Sequence, residues 1–263
     1  MTTLPLVLAD SATMLRRNLL HARRYPSMTL IVAAVPVIIY LLFVFVFGST
    51  LGDGLAGPIG GRDAYIAYVT PGILMMAIAG GTQSTAITVS MDMTEGIIAR
   101  FRTMSIPRAA VLAGHVIGNM LQTLLGLAFV IAVALLVGFR PTTSPIEVLG
   151  AVGMLVLAAF AFTWLAVPLG LVAKTVEAAS NLPMPLILLP FFGSGFVPTE
   201  SMPEPVAWFA EHQPFTPIIE TIRGLLLGTP IGTSWISAIA WCVAISLGGY
   251  LWSMRAYARD RTR

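Results

Sequence analysis

Few side chains in this 263-residue chain are of types that do chemistry, and their spacing decides what they can do. The three histidines, His21, His115 and His212, lie far apart, and no H-E-x-x-H pattern is present to hold zinc. Gly193-Ser194-Gly195 sets a serine between two small residues, but hydrolysis at that serine needs a histidine meeting it at the same depth, and the last apolar run contains none. No G-x-x-x-x-G-K-[ST] loop exists to cradle nucleotide phosphates, so this chain does not bind ATP by that means. The single cysteine, Cys242, excludes an intrachain disulfide. His115, Asn119 and Gln122 recur at i, i+4 and i+7 and therefore share one helical face. Such a face serves either hydrogen-bonded packing or a polar passage, and both readings stay open; proton carriage by His115 is a third.

The elements that position these groups are apolar. The composition is 57% hydrophobic and 10% charged, and the mean hydropathy is +0.86. A soluble domain of this length does not look like that. Crossing a bilayer takes about 20 apolar residues, and six stretches free of Asp, Glu, Lys and Arg qualify: 28–47, 64–91, 109–139, 148–173, 178–199 and 224–254. The longer ones exceed one crossing, and the last is expected to cross only from about Thr233 onward. The expected architecture is an all-α membrane protein of six transmembrane helices over 28–254, with a re-entrant fifth as the competing reading. Residues 1–27 do not read as a signal peptide, because the apolar run after them is of full span length and no A-x-A-like site follows.

Orientation follows from the basic residues. With the N-terminus inside, twelve of the fifteen Lys and Arg residues fall on the cytoplasmic side and only Arg62, Arg140 and Arg223 outside. Both termini are thus expected in the cytoplasm, with 255–263 a basic tail. Leu4, Leu8, Ala12, Leu15 and Leu19 recur at helical spacing beside Arg16, Arg17, Arg23 and Arg24, the pattern of an amphipathic elbow helix lying on membrane lipid. Residues 48–63 read as a glycine-rich outer loop with little internal structure. In the second run, Gly80, Gly81, Gln83, Thr85 and Thr88 form a small, polar inner half suited to close helix packing or to lining a path. The fifth run carries Pro183, Pro185, Pro190 and Pro198, so it is expected to be kinked or broken. Net positive charge implies no nucleic acid here, since the charge follows the membrane sides. The bias to Arg over Lys, fourteen to one, suits a GC-rich bacterial genome.

Segment 91–108 (MDMTEGIIARFRTMSIPR) joins the second and third runs on the cytoplasmic side. Wound at 100° per residue, it gathers Ile97, Ile98, Phe101 and Met104 in one arc and sets Glu95, Arg100, Arg102 and Thr103 opposite. Asp92 or Thr94 can cap its start, and Pro107 stops it. An apolar stripe of that width either lies back on the membrane or fits a groove on a soluble partner. Because the chain carries no energy source of its own, the partner is the favoured reading.

Two stretches resemble a known family. MTEGIIARFRTMSIPRAAVLAGH (93–115) looks like the cytoplasmic loop of type-2 ABC export permeases, particularly the daunorubicin-resistance group. FVPTESMPEPVAWFAEHQPFTPIIETIRGLLLGTP (196–230) is similar to that group's outer loop between spans 5 and 6, with His212, Gln213, Pro214, Thr216, Pro217, Glu220, Arg223 and Gly224 at the recurring positions. The six-run layout agrees over almost the whole length. The resemblance implies that 91–108 is a coupling helix, with Glu95, Ile97, Ile98, Arg100, Phe101, Arg102 and Met104 seated on a separate ABC ATPase subunit that binds ATP and Mg. It further implies a second permease half, the same chain or a paralogue, meeting this one largely through spans 1 and 5 around a substrate path.

The expected function is therefore the plasma-membrane permease subunit of a bacterial ATP-driven exporter for amphipathic molecules such as a drug, a secondary metabolite or a lipid. It is not itself an enzyme and binds no cofactor or metal of its own. Candidates for the path are Gln83, Thr85, Asn119, Gln122, Phe191, Phe192 and Phe196. Between spans 5 and 6, outer re-entrant or interfacial helices carry Gln213, Pro214, Glu220 and Arg223, either as a gate over the exit or as plain structure. There Pro217 suits a first helical turn, Glu220 and Arg223 pair at i, i+3, and Gly228 can end the helix. A stand-alone channel or carrier, and a membrane-embedded enzyme, are the rival classes.

Overall fold

The computed structural model describes residues 26–56, 61–94 and 108–259. The elbow segment before Pro26, most of the loop helix (Glu95, Ile97, Ile98, Arg100, Phe101, Arg102 and Met104 among it) and the end of the tail lie outside the described residues, as does the side chain of His115. Every regular element among the described residues is helical. The helices are α1 (Pro26–Leu42), α2 (Gly48–Ala56), α3 (Gly61–Thr94), α4 (Arg108–Val137), α5 (Pro145–Val172), α6 (Val176–Asn181), α7 (Met184–Leu188), α8 (Glu204–His212), α9 (Phe215–Leu227) and α10 (Ser234–Arg259).

Five helical stretches are long and apolar enough to cross a membrane: Ala34–Leu55, Gly61–Thr94, Val116–Val137, Pro145–Val172 and Ser234–Ala256. The first is α1 and α2 joined through one wide π turn, Phe43–Phe47. This corrects the expectation for 48–63, because Gly48–Ala56 is helical and not loop. Glycine makes the joint with the next helix: a Cβ on Gly52 would fall 1.7 Å from the Gly61 carbonyl oxygen.

The fifth apolar run is not one continuous helix. Its prolines, which lack an N–H and crowd the preceding turn, divide it into α6, α7, a 3₁₀ turn at Leu189–Phe192 and an open turn through Gly195. The break expected from Pro183, Pro185 and Pro190 is present, and an uninterrupted fifth span is not. The last run begins its long helix at Ser234, as the sequence suggested.

α3 is the axis of the protein. Buried residues make up 78% of its most apolar stretch and 61% of that of α5, against 17–22% for the outer three. Small residues permit this. The hydroxyls of Thr82, Thr85 and Thr88 bond back to the carbonyls of Ile78, Gly81 and Ser84 in their own helix, so each is satisfied without projecting. Gly170 of α5 sits where a Cβ would lie 2.6 Å from the Ala86 carbonyl oxygen, so α5 lies directly on α3. At the opposite end of α3 from Tyr65, Trp164 packs edge-on against Tyr250 at 5.2 Å, and Val89, Val116 and Val167 close a second cluster joining α3, α4, α5 and α10.

The broken segment climbs beside α3. Gln83 Nε2 donates to the Ser180 carbonyl at 2.8 Å, while a Cβ on Gly72 would lie only 2.3 Å from the Gly195 carbonyl oxygen. Gly72 and Gln83 are roughly 16 Å apart along the axis at 1.5 Å per residue. The Gly72–Gly195 contact is backbone on backbone. Gly72→Ala is therefore expected to overpack it and lower stability by about 1–3 kcal/mol. Gly153→Ala, whose added methyl meets nothing within 4 Å, should leave stability unchanged or raise it by roughly 0.5–1 kcal/mol. Thermal unfolding of the two variants in detergent checks the pair; equal melting temperatures would mean the helices are not in contact at Gly72.

Candidate functional site at the outer end of the bundle

Where the broken segment turns, three residues in sequence, Gly193, Ser194 and Gly195, are buried without helical hydrogen bonds of their own. Their polar atoms are met from α9. The N–H of Ser194 donates to Thr216 Oγ1 at 3.3 Å. Gln213 Nε2 donates to the Leu189 carbonyl at 3.3 Å and to Thr216 Oγ1 at 3.2 Å, while its Oε1 accepts from the Phe215 N–H at 3.2 Å. Gln213 thus meets the first N–H of α9 and ties the start of that helix to the start of the 3₁₀ turn; Pro214 follows it with helical dihedrals and leads into the first turn, where Pro217 costs no intrahelical bond.

Arg223, only 6% exposed, is the centre of the site. Its Nη2 donates to the Ser194 carbonyl at 2.5 Å and to the Tyr68 carbonyl at 3.1 Å, and its Nε reaches the Tyr68 carbonyl at 3.3 Å. Nη1 pairs with Glu220 one turn back, and the guanidinium carbon lies 3.8 Å from the Tyr68 ring centroid. A single side chain therefore joins α9, α3 and the turn. The i, i+3 pair expected from the sequence is formed, but Arg223 is buried and spends most of its donors on main-chain oxygens. The planar fork of arginine allows this and a lysine would not. At the far end, Gly228 adopts φ +71 and closes α9 in the left-handed conformation. The carbonyls of Leu225 and Leu226 are taken by Thr143 Oγ1 at 2.7 Å and Thr142 N–H at 3.0 Å.

Above Arg223 opens a polar cavity of about 880 Å³ whose walls include Tyr68, Glu200, Glu211, Glu220, Arg223 and Trp241. On the other side of the turn lies an aromatic group. Phe191 and Phe196 stack at 4.2 Å and 4°, and Phe43 of the π turn sits 4.9 Å from Phe196 and 6.3 Å from Phe191. Phe192 is half-exposed and points away from them. Deeper along α3, Gln83 holds Ser180, Thr85 is buried and bonded to its own helix, Asn119 is buried with its carbonyl bonded by Thr123, and Gln122 is half-buried. Gln213, Pro214, Glu220 and Arg223 are thus brought together; the seven path candidates fall into an aromatic group and a polar level rather than one lining. Ser194 Oγ, the serine weighed as a nucleophile, makes no hydrogen bond to any described residue.

Sequence reasoning missed Tyr68 and Ser194 as partners of Arg223. Their contribution is a carbonyl, which every residue has, so no side-chain pattern announces it. The signal available was the glycine pair around Ser194, since two small residues in an apolar, proline-broken run mark a close backbone approach.

Five long apolar helices around a buried axis, with a broken helix and a pinned outer helix between the last two, define a multi-pass membrane protein of the transporter type. The chain belongs to the ABC-2 type transporter family, whose model matches residues 11–227. It is 28% identical over 243 residues to the daunorubicin resistance ABC transporter permease protein DrrB1 of Streptomyces coeruleorubidus, covering 91% of this chain and 82% of that protein. It is 24% identical over 233 residues to the probable doxorubicin resistance ABC transporter permease protein DrrC of Mycobacterium tuberculosis H37Rv, covering 89% and 83%. These relatives are permease subunits of bacterial drug-resistance transporters, and membership in the family implies association with an ABC ATPase subunit.

Removing the guanidinium tests the geometry of the site. Arg223→Met strands the buried Ser194 carbonyl, at a cost of about 1–3 kcal/mol, and takes a further donor from the Tyr68 carbonyl. Glu220→Gln removes only a half-exposed partner, whose pairing is worth under about 1 kcal/mol. Denaturation in detergent should therefore show the arginine variant much the less stable. The reverse order would mean that the ion pair, and not the carbonyls, holds α9.

Proposed function

We propose that this chain is the membrane subunit of an ATP-driven exporter that moves amphipathic small molecules, such as a drug, a secondary metabolite or a lipid, out of the cell. The observation that carries the reading is the family match over most of the chain, together with relatives named as drug-resistance permeases. ATP and Mg are held by a separate ATPase subunit, a reading supported by the family's association with such a subunit and by the lack of a G-x-x-x-x-G-K-[ST] loop in this sequence. The chain crosses the plasma membrane six times with both ends inside. Basic-residue counting supports the orientation. The sixth crossing is made by Val176–Phe192, about 25 Å long where helical, and its contacts with Gln83 and Gly72 support that course.

The loop helix in 91–108 is the coupling element. It follows directly in sequence on α3, the buried axis, so movement of the ATPase at that loop is delivered to the helix on which the outer turn and Arg223 rest. Two permease halves enclose the path. Large apolar side chains left exposed on Ile38, Leu42, Phe45 and Val46 of the first span, and on Met184, Leu188 and Phe192 of the broken one, support a second half on that side; the two elements are neighbours through Phe43 and Phe191. α9 acts as the outer gate helix, with the cavity above Arg223 as the vestibule through which cargo leaves.

Two measurements test this. Phe101→Asp puts a charge in the apolar stripe and is expected to release the ATPase subunit or to cut ATP-dependent efflux at least about tenfold, a loss of some 1.4 kcal/mol of coupling. Unchanged binding and efflux would remove the coupling role. Proteoliposomes holding the permease alone should show no transport, and those holding permease and ATPase should show ATP-dependent transport; movement without the ATPase would assign the chain to the channels or carriers.

A further inference from the structure

We propose that Arg223 is a latch that releases the Gly193–Gly195 turn during each transport cycle, with Ser194 as the group that becomes exposed; this rests on the export reading above. Three features separate a latch from a permanent staple. First, the polar atoms of the Ser194 peptide unit are held by side chains of α9, Arg223 on the carbonyl and Thr216 on the N–H, with Gln213, just ahead of that helix, on the Leu189 carbonyl. α9 is in turn anchored at its far end, where Thr142 and Thr143 take its last carbonyls. Thr216 and Gln213 grip at the start of α9 and Arg223 close to its anchored end, so when the start swings away Arg223 is the last hold on the turn to let go.

Second, the closed arrangement leaves a hydroxyl unsatisfied. Ser194 Oγ is 3% exposed and has no hydrogen-bond partner. An alanine would fill the same place in a staple without that cost. Opening returns the hydroxyl to water, so the closed state carries a penalty that the open state lacks. Third, the latch is a partition. Arg223, Glu220, Thr216 and Tyr68 form part of the wall of the outer cavity, while Phe43, Phe191 and Phe196 pack on the inner side of the same turn. Moving the turn opens the packed aromatic group to the polar vestibule, setting apolar and polar surface side by side as an amphipathic molecule needs.

The test uses Ser194→Cys in a Cys242→Ala background, reconstituted with the ATPase subunit that co-purifies with it, and a membrane-impermeant methanethiosulfonate reagent. Without nucleotide the cysteine should be almost unreactive. During ATP hydrolysis its modification should accelerate by about tenfold or more, as expected for a locally opening element. Adding Arg223→Lys, which keeps the charge and loses the two-carbonyl fork, should give fast modification without ATP, in samples whose thermal unfolding confirms a folded protein. Slow modification during measured ATP hydrolysis overturns the latch, as does protection that persists in the lysine variant. Failure of the reconstituted pair to hydrolyse ATP or move any cargo counts against the export reading, and the nucleotide-free comparison of Arg223 with Lys still decides the latch.

Discussion

A carbonyl oxygen away from water must find a donor, and the half of this protein around the broken segment is arranged around the Ser194 carbonyl, which finds its donor in Arg223. Prolines break the segment after α5, and breaking a helix leaves carbonyls without their i+4 partners. In a membrane, water is not there to replace them, so irregular backbone survives only where protein supplies the bonds. α9 supplies them. Its arginine reaches Ser194 and, in α3, Tyr68, three residues ahead of Pro71. The arginine can be buried because Glu220 and the face of the Tyr68 ring offset its charge. Remove that one side chain and the turn, the outer helix and the axis lose their common fastening.

The same constraint explains why glycine and aromatic residues gather at this level. A turn whose backbone must touch both α3 and α9 cannot carry side chains on the touching faces, hence Gly193 and Gly195 opposite Gln213 and Gly72. The space left beside so slender a turn is filled from outside it, by Phe43 at the π turn and by the stacked Phe191 and Phe196. A π turn widens the helix by one residue and redirects the side chains around it; here it is the turn that brings Phe43 onto the pair. Slender backbone and bulky rings are two halves of one packing solution.

Elements whose signal is local were legible in the sequence. Charge-free apolar runs located the five long helices, four prolines announced the broken one, and Pro217, Glu220, Arg223 and Gly228 marked where α9 starts, pairs and ends. What failed was read from composition without context. Residues 48–63 are rich in glycine and were expected to be loop, yet 48–56 is helical, and Gly48 and Gly52 serve its close approach to the start of α3 and not turns. The Glu220–Arg223 pair shows a related limit: spacing tells that the two side chains meet and says nothing of the burial of Arg223. The aromatic residues offered as path lining illustrate the same limit. Phe191, Phe192 and Phe196 look equivalent in sequence, and only the course of the turn separates the two that stack inside from the one that faces out.

Position along α3 then ties the two ends of the molecule together. One helix of 34 residues, about 51 Å at the usual rise, carries the Tyr68 carbonyl near its first turns and Val89 near its other end. Its inner half is clamped by Trp164, Tyr250 and Val89 against α5 and α10, and its outer half by Gly72 and Tyr68 against the turn and α9. Close-packed contacts of this kind do not deform gradually; they hold one arrangement or exchange it for another. A rotation of α3 small enough to keep the fold would be felt first in its directional contacts, such as the 3.1 Å hydrogen bond from Arg223 to Tyr68. The grip of Arg223 is therefore where the stiff axis meets the turn and α9 through polar bonds and not through packing alone.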